Sequence, residues 1–164
     1  MPRSRTSVLP AKKAASIVIR PLRSGDGRAF LDLVNALADF EHLRRPDAGA
    51  RRRLLRDAAG GRRRFNALLL FADRAPVGYA IFFETYSSFL ARPTLFLEDI
   101  FIHPAHRNRG YGERLFHHCL KEARRRRCGR MEWIVLDWNK GAMRFYDRLG
   151  ARAMHEWRLY RITL

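Results

Sequence analysis

The sequence predicts an α/β fold in which one mixed central sheet is flanked by helices on both faces. Two observations carry this. Strand-length apolar runs are interleaved with amphipathic helical segments in the order β-α-α-β-β-β-α-β-α-β, an alternation that sets helices against the faces of a single sheet. The 164 residues, 47% apolar and 12% aromatic, suffice for one sizeable core and about one domain of ordinary size. A single domain over residues 16–164 is expected, preceded by a basic tail over 1–15.

The tail carries Arg3, Arg5, Lys12 and Lys13 among Ser, Thr, Ala and Pro with no hydrophobic period, the composition of a flexible segment. Residues 17–22 are short and β-branched, and Pro21 with Ser24, Gly25, Asp26 and Gly27 closes that first strand. From Arg28, the residues Phe30, Leu33, Val34, Leu37 and Phe40 recur three and four apart, the apolar face of a helix. Residues 50–59 read as a second, very basic helix, anchored by Leu54 and Leu55 and stopped by Gly60 and Gly61. Its cations Arg51, Arg52, Arg53 and Arg56, with the run Arg62, Arg63 and Arg64, suit a solvated face and would also meet phosphates.

Residues 65–72 and 77–86 form a hairpin about the turn Asp73, Arg74, Ala75 and Pro76. After the break at Pro93, strand 94–102 holds two adjacent acids, Glu98 and Asp99, in an apolar stretch. Neighbours on a regular strand point to opposite faces, so the two carboxylates are not expected to share a layer. A helix over about 110–127 presents Leu115, Cys119 and Ala123 on one stripe beside Phe116 and Leu120, and Arg124 to Arg127 complement the negative end of its dipole. Residues 131–136 read as a strand, 140–149 as a short helix ending at Gly150, and 156–163 as a closing strand.

The 33 Lys and Arg against 16 Asp and Glu leave a net charge of +17, which brings nucleic acid or an anionic cofactor into consideration. The aromatic and aliphatic content excludes intrinsic disorder. Four of the cations are lysine (Lys12, Lys13, Lys121, Lys140), and the arginine excess fits codon bias as well as it fits binding. Cys119 and Cys128 build neither a disulfide framework nor a four-ligand zinc set, and His103, His106, His117, His118 and His155 show no metal spacing. No metal is expected, and the thiols suit a reducing cytoplasm. No apolar run nears the ~20 residues of a membrane span, and the first 15 residues lack the apolar stretch of a signal peptide. A cytoplasmic protein that does not engage a membrane is expected.

The segment Arg107, Asn108, Arg109, Gly110, Tyr111, Gly112 lies between an apolar strand and an amphipathic helix. A glycine-rich turn opening a helix brings backbone N–H groups close to an anion, and the helix dipole adds positive charge there. Such a loop cradles a pyrophosphate, although glycine at a turn also serves sterics alone. It is no Walker A loop, since no Gly-Lys-Ser/Thr follows, and a dinucleotide fingerprint needs three spaced glycines after the first strand.

Context narrows the reading. Strand 96–102, His103-Pro104, the Arg-x-x-Gly-x-Gly loop, a helix, a strand, Trp138-Asn139 and Arg144-Phe145-Tyr146-Asp147-Arg148-Leu149-Gly150 follow in that order. From Val18 onward the chain resembles the GCN5-related N-acetyltransferase (GNAT) superfamily, whose Arg/Gln-x-x-Gly-x-Gly/Ala motif binds the pyrophosphate of acetyl-CoA. Phe82-Phe83-Glu84-Thr85-Tyr86-Ser87-Ser88-Phe89, Leu97-Glu98-Asp99, Met131-Glu132-Trp133, Asp137-Trp138-Asn139, Phe145-Tyr146 and Glu156-Trp157-Arg158 look like the diamine and polyamine (spermidine/spermine-type) branch, which includes thialysine acetyltransferases.

That resemblance implies a V-shaped, splayed sheet holding acetyl-CoA in its cleft, usually in a homodimer. It implies that Arg107, Asn108, Arg109, Gly110, Tyr111 and Gly112 hold the pyrophosphate, and that the strand backbone from Asp99 through Phe101 and Ile102 hydrogen-bonds the pantetheine arm. Asn139, at a helix start where Asn is a favoured cap, would also contact CoA. Tyr146 matches the general acid for the departing thiolate: a phenol of pKa about 10 can protonate a thiolate of pKa about 8.5 or above within hydrogen-bond reach. Glu98 matches the base, acting through water, that deprotonates the amine, and Glu98, Asp99, Tyr86 and Trp157 match amine-binding positions. Without the resemblance, Tyr146 reads as a core aromatic beside Phe145.

The Arg-rich segment 44–64 matches nothing in the family pattern and would repel a polycation unless it faces elsewhere. Glu84, Glu98, Asp99 and Glu156 supply local negative charge, which counts for more at a site than the net total. The expected activity is acetyl transfer from acetyl-CoA to a primary amine, a small diamine, polyamine or thialysine-like acceptor, by direct attack in a ternary complex. The alternatives are a protein Lys or N-terminal acceptor and, in another class, a non-catalytic nucleic-acid-binding protein using its Arg surface.

Overall fold

The structure is a computed structural model and describes residues 15–164; the expected tail, apart from Ala15, lies outside the described residues. The chain forms two compact units, one ending at Glu132 and one spanning Trp133–Leu164.

The first unit runs β1 (Ile17–Pro21), α1 (Gly27–Phe40), α2 (Ala48–Ala59), β2 (Asn66–Ala72), β3 (Ala75–Ser87), β4 (Arg92–Ile102), α3 (Tyr111–Arg125) and β5 (Arg130–Glu132), with 3₁₀ turns at Ser24–Asp26 and Pro104–His106. The strands form one mixed sheet in the order β1-β2-β3-β4-β5, with β1 to β4 antiparallel and β5 parallel to β4. The β2–β3 hairpin turns at Asp73 and Arg74, both in the left-handed region (φ 48° and 70°), as a two-residue hairpin turn of matching twist requires. Asp73 is also tied to β1's entrance, its Oδ1 accepting from the Ser16 backbone N–H at 2.9 Å. A parallel neighbour needs a crossover, and α3 provides it. Pro93 lies within β4, opposite Tyr86, rather than breaking the strand before it. It sits at the second residue, near the strand start where a missing N–H is tolerated.

The apolar stripe of α1 is buried as its spacing predicts: Phe30 and Leu33 form one core with Ala67, Leu69, Tyr79, Ile81 and Phe101 of the sheet. Each large side chain so buried contributes about 1.5–3 kcal/mol. On the other side, α3 buries Leu115, Phe116, Cys119 and Ala123. Arg126, just past α3, pins that helix to the sheet: it donates to Glu84 at 2.7 Å and to Asn66 Oδ1 at 2.9 Å, and its guanidinium lies 5.2 Å from the Phe82 ring centre. The basic helix α2 is capped by Asp47, which accepts from Ala50 N–H at 2.8 Å.

Two features of β4 set the surroundings of Glu98 and Asp99. Its parallel pairing with β5 covers only Thr94 to Phe96, so from Leu97 to Ile102 β4 has β3 on one side and no strand of this unit on the other. Its pairing with β3 slips by one residue: Phe82 faces Leu97, Ile81 faces Asp99, and Glu98 is the extra residue of a β-bulge. Leu95 and Leu97 therefore share the sheet face of Glu84 and Phe82, whereas Asp99 and Phe101 share that of Ile81 and Tyr79. The expectation of uninterrupted alternation through Glu98 and Asp99 is thereby corrected.

Gly78 lies opposite Ile102, and a Cβ there would stand 2.4 Å from Ile102 Cδ1 and 2.6 Å from the Phe101 carbonyl oxygen. Gly78→Ala is expected to cost about 1–3 kcal/mol by overpacking, read as a fall in Tm by thermal unfolding.

In the second unit, α4 (Lys140–Arg148) is capped by Asn139, whose Oδ1 accepts from Ala142 N–H at 3.1 Å. It ends at Gly150, with φ 81°; Gly150 N–H donates to the Asp147 carbonyl and Ala151 N–H to that of Tyr146, the paired bonds of a Schellman stop. The strand expected over 131–136 ends at Glu132. The closing strand expected over 156–163 is not formed: the segment stays exposed, and Trp157 N–H bonds locally to the Met154 carbonyl. A strand requires a ladder partner, and the only regular element of this unit is α4.

Candidate active site

The loop from β4 to α3 is built by local chemistry. His103 N–H donates to the Val77 carbonyl at 2.9 Å, and Pro104–His106 makes one 3₁₀ turn. The Arg107 Nε then donates back to the Ile102 carbonyl at 3.0 Å, and its guanidinium lies 4.3 Å from the Phe40 ring centre and 5.6 Å from that of Phe101. Burial holds the Arg107 pKa below its ordinary value. Asn108 (φ 59°) and Gly110 (φ 74°) are both left-handed, and residues of that conformation within a turn help shape backbone N–H groups into an anion nest. Gly110 then opens α3, whose first N–H groups lack intrahelical acceptors. A Cβ on Gly110 would meet nothing within 4 Å, so the glycine is required by its backbone angle and the space beside it is open. Arg109 and Gly110 are exposed and Tyr111 is buried as the first helical residue.

Beside this loop's strand lie the acids. Glu98 is exposed on the bulge. Asp99 is half-buried and accepts from the fully buried Tyr79 hydroxyl at 3.0 Å. Burial, and behind it the charges of Glu98 and Glu41, push the Asp99 carboxyl up to about 6, while the Tyr79 hydrogen bond pulls the other way. Burial also raises Glu41, at the end of α1, and drives the Tyr79 phenol well above its usual value. Because the folded Asp99 pKa is raised above its unfolded value, it favours the fold when protonated, and that stability declines as pH rises from the ordinary carboxyl range through about 6. A group that costs the fold at neutral pH has the mark of a functional carboxylate.

The structure thus brings Glu98, Asp99, Phe101, Ile102 and the segment 107–112 together on one strand and its following loop. Phe101 and Ile102 are buried, so only their backbone is available to a ligand. Tyr86 stands apart on β3, 68% exposed. Asn139, Tyr146 and Trp157 belong to the second unit. Tyr146 is on the last turn of α4, its ring 4.9 Å from Trp133 and 5.1 Å from Phe145, and its carbonyl is held by the Schellman stop. Trp157 is exposed on irregular chain.

Tyr79 and Glu41 are additions that sequence reasoning missed. A tyrosine inside an apolar strand needs a partner for its hydroxyl once buried, and an acid at a helix C-terminus opposes the dipole; either was a usable signal. The arginines of 44–64 are partly neutralised locally, Arg45 pairing with Asp39 at 2.5 Å and Arg56 and Arg64 with Asp57 at 2.9 and 3.9 Å. Cys119 is buried, its thiol pushed up to about 12. Among the described residues, no group of three or more His, Cys, Asp or Glu is placed to hold a metal, and no helix is long and apolar enough to cross a membrane.

β4 is thus followed by a glycine-opened helix that crosses over to the parallel strand β5, which sets an anion-binding turn at the end of β4. The chain belongs to the acetyltransferase (GNAT) family, whose model matches residues 30–151. Membership implies acetyl-CoA as cosubstrate. Thialysine N-epsilon-acetyltransferase of Sus scrofa is 31% identical over 150 residues, covering 87% of this chain and 88% of the relative. An L-ornithine N5-acetyltransferase of Arabidopsis thaliana is 43% identical over 91 residues, 56% of this chain but only 40% of that protein's length. Among solved structures, a ribosomal-protein-alanine N-acetyltransferase from Brucella melitensis matches with a TM-score of 0.70 at 23% identity, covering 91% of this chain and all of that one. That likeness speaks to the fold alone.

Proposed function

We propose that this chain transfers acetyl from acetyl-CoA to a primary amine of a small diamine, polyamine or thialysine-like acceptor, acting as a homodimer. The observation that carries the choice of acceptor is the group of acids about Asp99, with Glu98 on the β4 bulge and Glu41 at the end of α1 both acting on it, on a chain of net charge +17. Acids set among so many cations select a cationic ligand locally. The relatives named for thialysine and ornithine support the same class, since both compounds carry a terminal amine on a flexible chain.

In this reading the bound cosubstrate supplies an activated acetyl group that the neutral amine attacks directly. The N–H groups of 107–112 bind its pyrophosphate, a role the left-handed turns and the open space at Gly110 fit. The backbone of β4 from Asp99 to Ile102, without a second strand neighbour in its unit, is available to the pantetheine arm. Asn139 caps α4 through Oδ1, which leaves its amide N–H₂ for the cofactor. Asp99 binds the ammonium and Glu98 relays its proton through water; by family resemblance Tyr86 and Trp157 are assigned to amine binding and Tyr146 to protonating the departing thiolate.

The test is isothermal titration with acetyl-CoA, followed in the same preparation by thiol release with diamines, polyamines, ornithine, thialysine and Lys peptides, and by light scattering for the dimer. Turnover confined to small amines supports the proposal. Turnover confined to peptides moves the acceptor to protein, and no binding of acetyl-CoA overturns the reading.

A further inference from the structure

The Tyr79–Asp99 pair has no part in acetyl transfer beyond Asp99's contact with the amine, yet its geometry is specific. Tyr79 is 0% exposed. Its ring is fixed edge-on to Phe30 at 5.5 Å and tilted against Phe101 at 6.2 Å, so its hydroxyl has little freedom. That hydroxyl donates to Asp99 Oδ2 at 3.0 Å. The bulge at Glu98 is what places Asp99 on Tyr79's side of the sheet, since a regular strand would have sent it to the face of Leu95 and Leu97.

Resting on the acetyl-transfer reading, we propose that Tyr79 is a positioning residue for amine acetylation, holding Asp99 by Oδ2 so that Oδ1 receives the acceptor's ammonium. Oδ1 holds the ammonium by a charge-assisted hydrogen bond while another of its N–H bonds breaks toward water; the proton ends as an O–H bond on the Glu98 carboxylate, the electron pair stays on nitrogen as the nucleophile, and Tyr79 keeps its own proton throughout. The groups that act on Asp99 come from three elements. Glu98 on β4 and Glu41 at the end of α1 raise its proton affinity and Tyr79 on β3 lowers it, while the guanidinium of Arg107 on the following loop is stacked on Phe40 and Phe101. Without the hydroxyl, Asp99 would be protonated over more of the pH range and unable to take the ammonium.

Tyr79→Phe keeps both ring contacts and removes only the donor. The pH dependence of kcat/KM should show its acid-limb pKa rising by about one unit and a severalfold lower alkaline plateau, with unchanged acetyl-CoA affinity by titration. Asp99→Asn should abolish the limb and lower kcat/KM at every pH. The Asp99 ¹³Cγ resonance, titrated without substrate in the unmodified protein and in Tyr79→Phe, should move with the kinetic limb. A limb that stays in place, or a carboxyl titration that ignores the substitution, overturns the proposal. If the unmodified protein acetylates no amine, the acetyl-transfer reading fails; a carboxyl titration that still responds to Tyr79→Phe would then leave the pair purely structural. Should Tyr79→Phe not fold, the unmodified protein decides. Saturating acceptor must lower the Asp99 carboxyl titration, and no response overturns the proposal.

Discussion

Tyr146→Phe is expected to lower kcat by about 10²- to 10⁴-fold, the usual worth of a positioned general acid, while leaving acetyl-CoA affinity within a factor of two or so of the unmodified protein. The fold should tolerate it. The ring's contacts with Trp133 at 4.9 Å and Phe145 at 5.1 Å do not depend on the hydroxyl. The element that presents the residue is fixed at both ends without the hydroxyl, since the Tyr146 carbonyl accepts from Ala151 N–H and the Asn139 side chain caps the other end. Steady-state rates beside a titration of acetyl-CoA separate the two quantities. Equal turnover would remove Tyr146 from the chemistry and return it to the role of a packed aromatic.

Gly110→Asp is expected to weaken acetyl-CoA binding on the order of a hundredfold. Two effects combine there. A side chain at φ 74° must accept a left-handed backbone, at about 1–2 kcal/mol for most residues and less for Asp. Its carboxylate would also enter the open space at the mouth of α3, where a like charge a few ångströms from a pyrophosphate costs several kcal/mol at the effective dielectric of a protein surface. Gly110→Ala carries the strain without the charge, so titrating both variants divides the effects. A Gly110→Asp protein that binds acetyl-CoA as well as the unmodified chain would show that the pyrophosphate lies elsewhere.

Much of this was legible in the residues. The periodicity of Phe30, Leu33, Val34, Leu37 and Phe40 locates α1, the doublet Gly60-Gly61 stops α2, and Gly150 stops α4, because each rests on local steric or amphipathic rules. What escaped was non-local. No feature of Leu97-Glu98-Asp99 announces a bulge, since the slip exists only in register with Phe82 and Ile81 of another strand. The same holds for Tyr79, whose partner lies twenty residues away. Residues 156–163 alternate like a strand, yet no ladder forms for them; pattern supplies one half of a pairing and the partner supplies the other.

The bulge also bears on how this chain tolerates insertions and deletions. Glu98 acts as a phase shifter within β4: before it the strand's apolar side belongs to the α3 layer, and after it Asp99 and Phe101 belong to the α1 layer. Loss of a single codon there would restore a regular ladder and shorten the chain by one residue. Because Glu98 is the extra residue, its loss would leave Leu97 opposite Phe82, Asp99 opposite Ile81 on its phenol's side, and Thr94 to Phe96 in phase with Arg130 to Glu132. A deletion that simplifies the strand would thus spare the Tyr79–Asp99 pair and remove the proposed relay carboxylate alone, and in a library of length variants this position should be among the more forgiving of the sheet for folding while costing acetyl transfer.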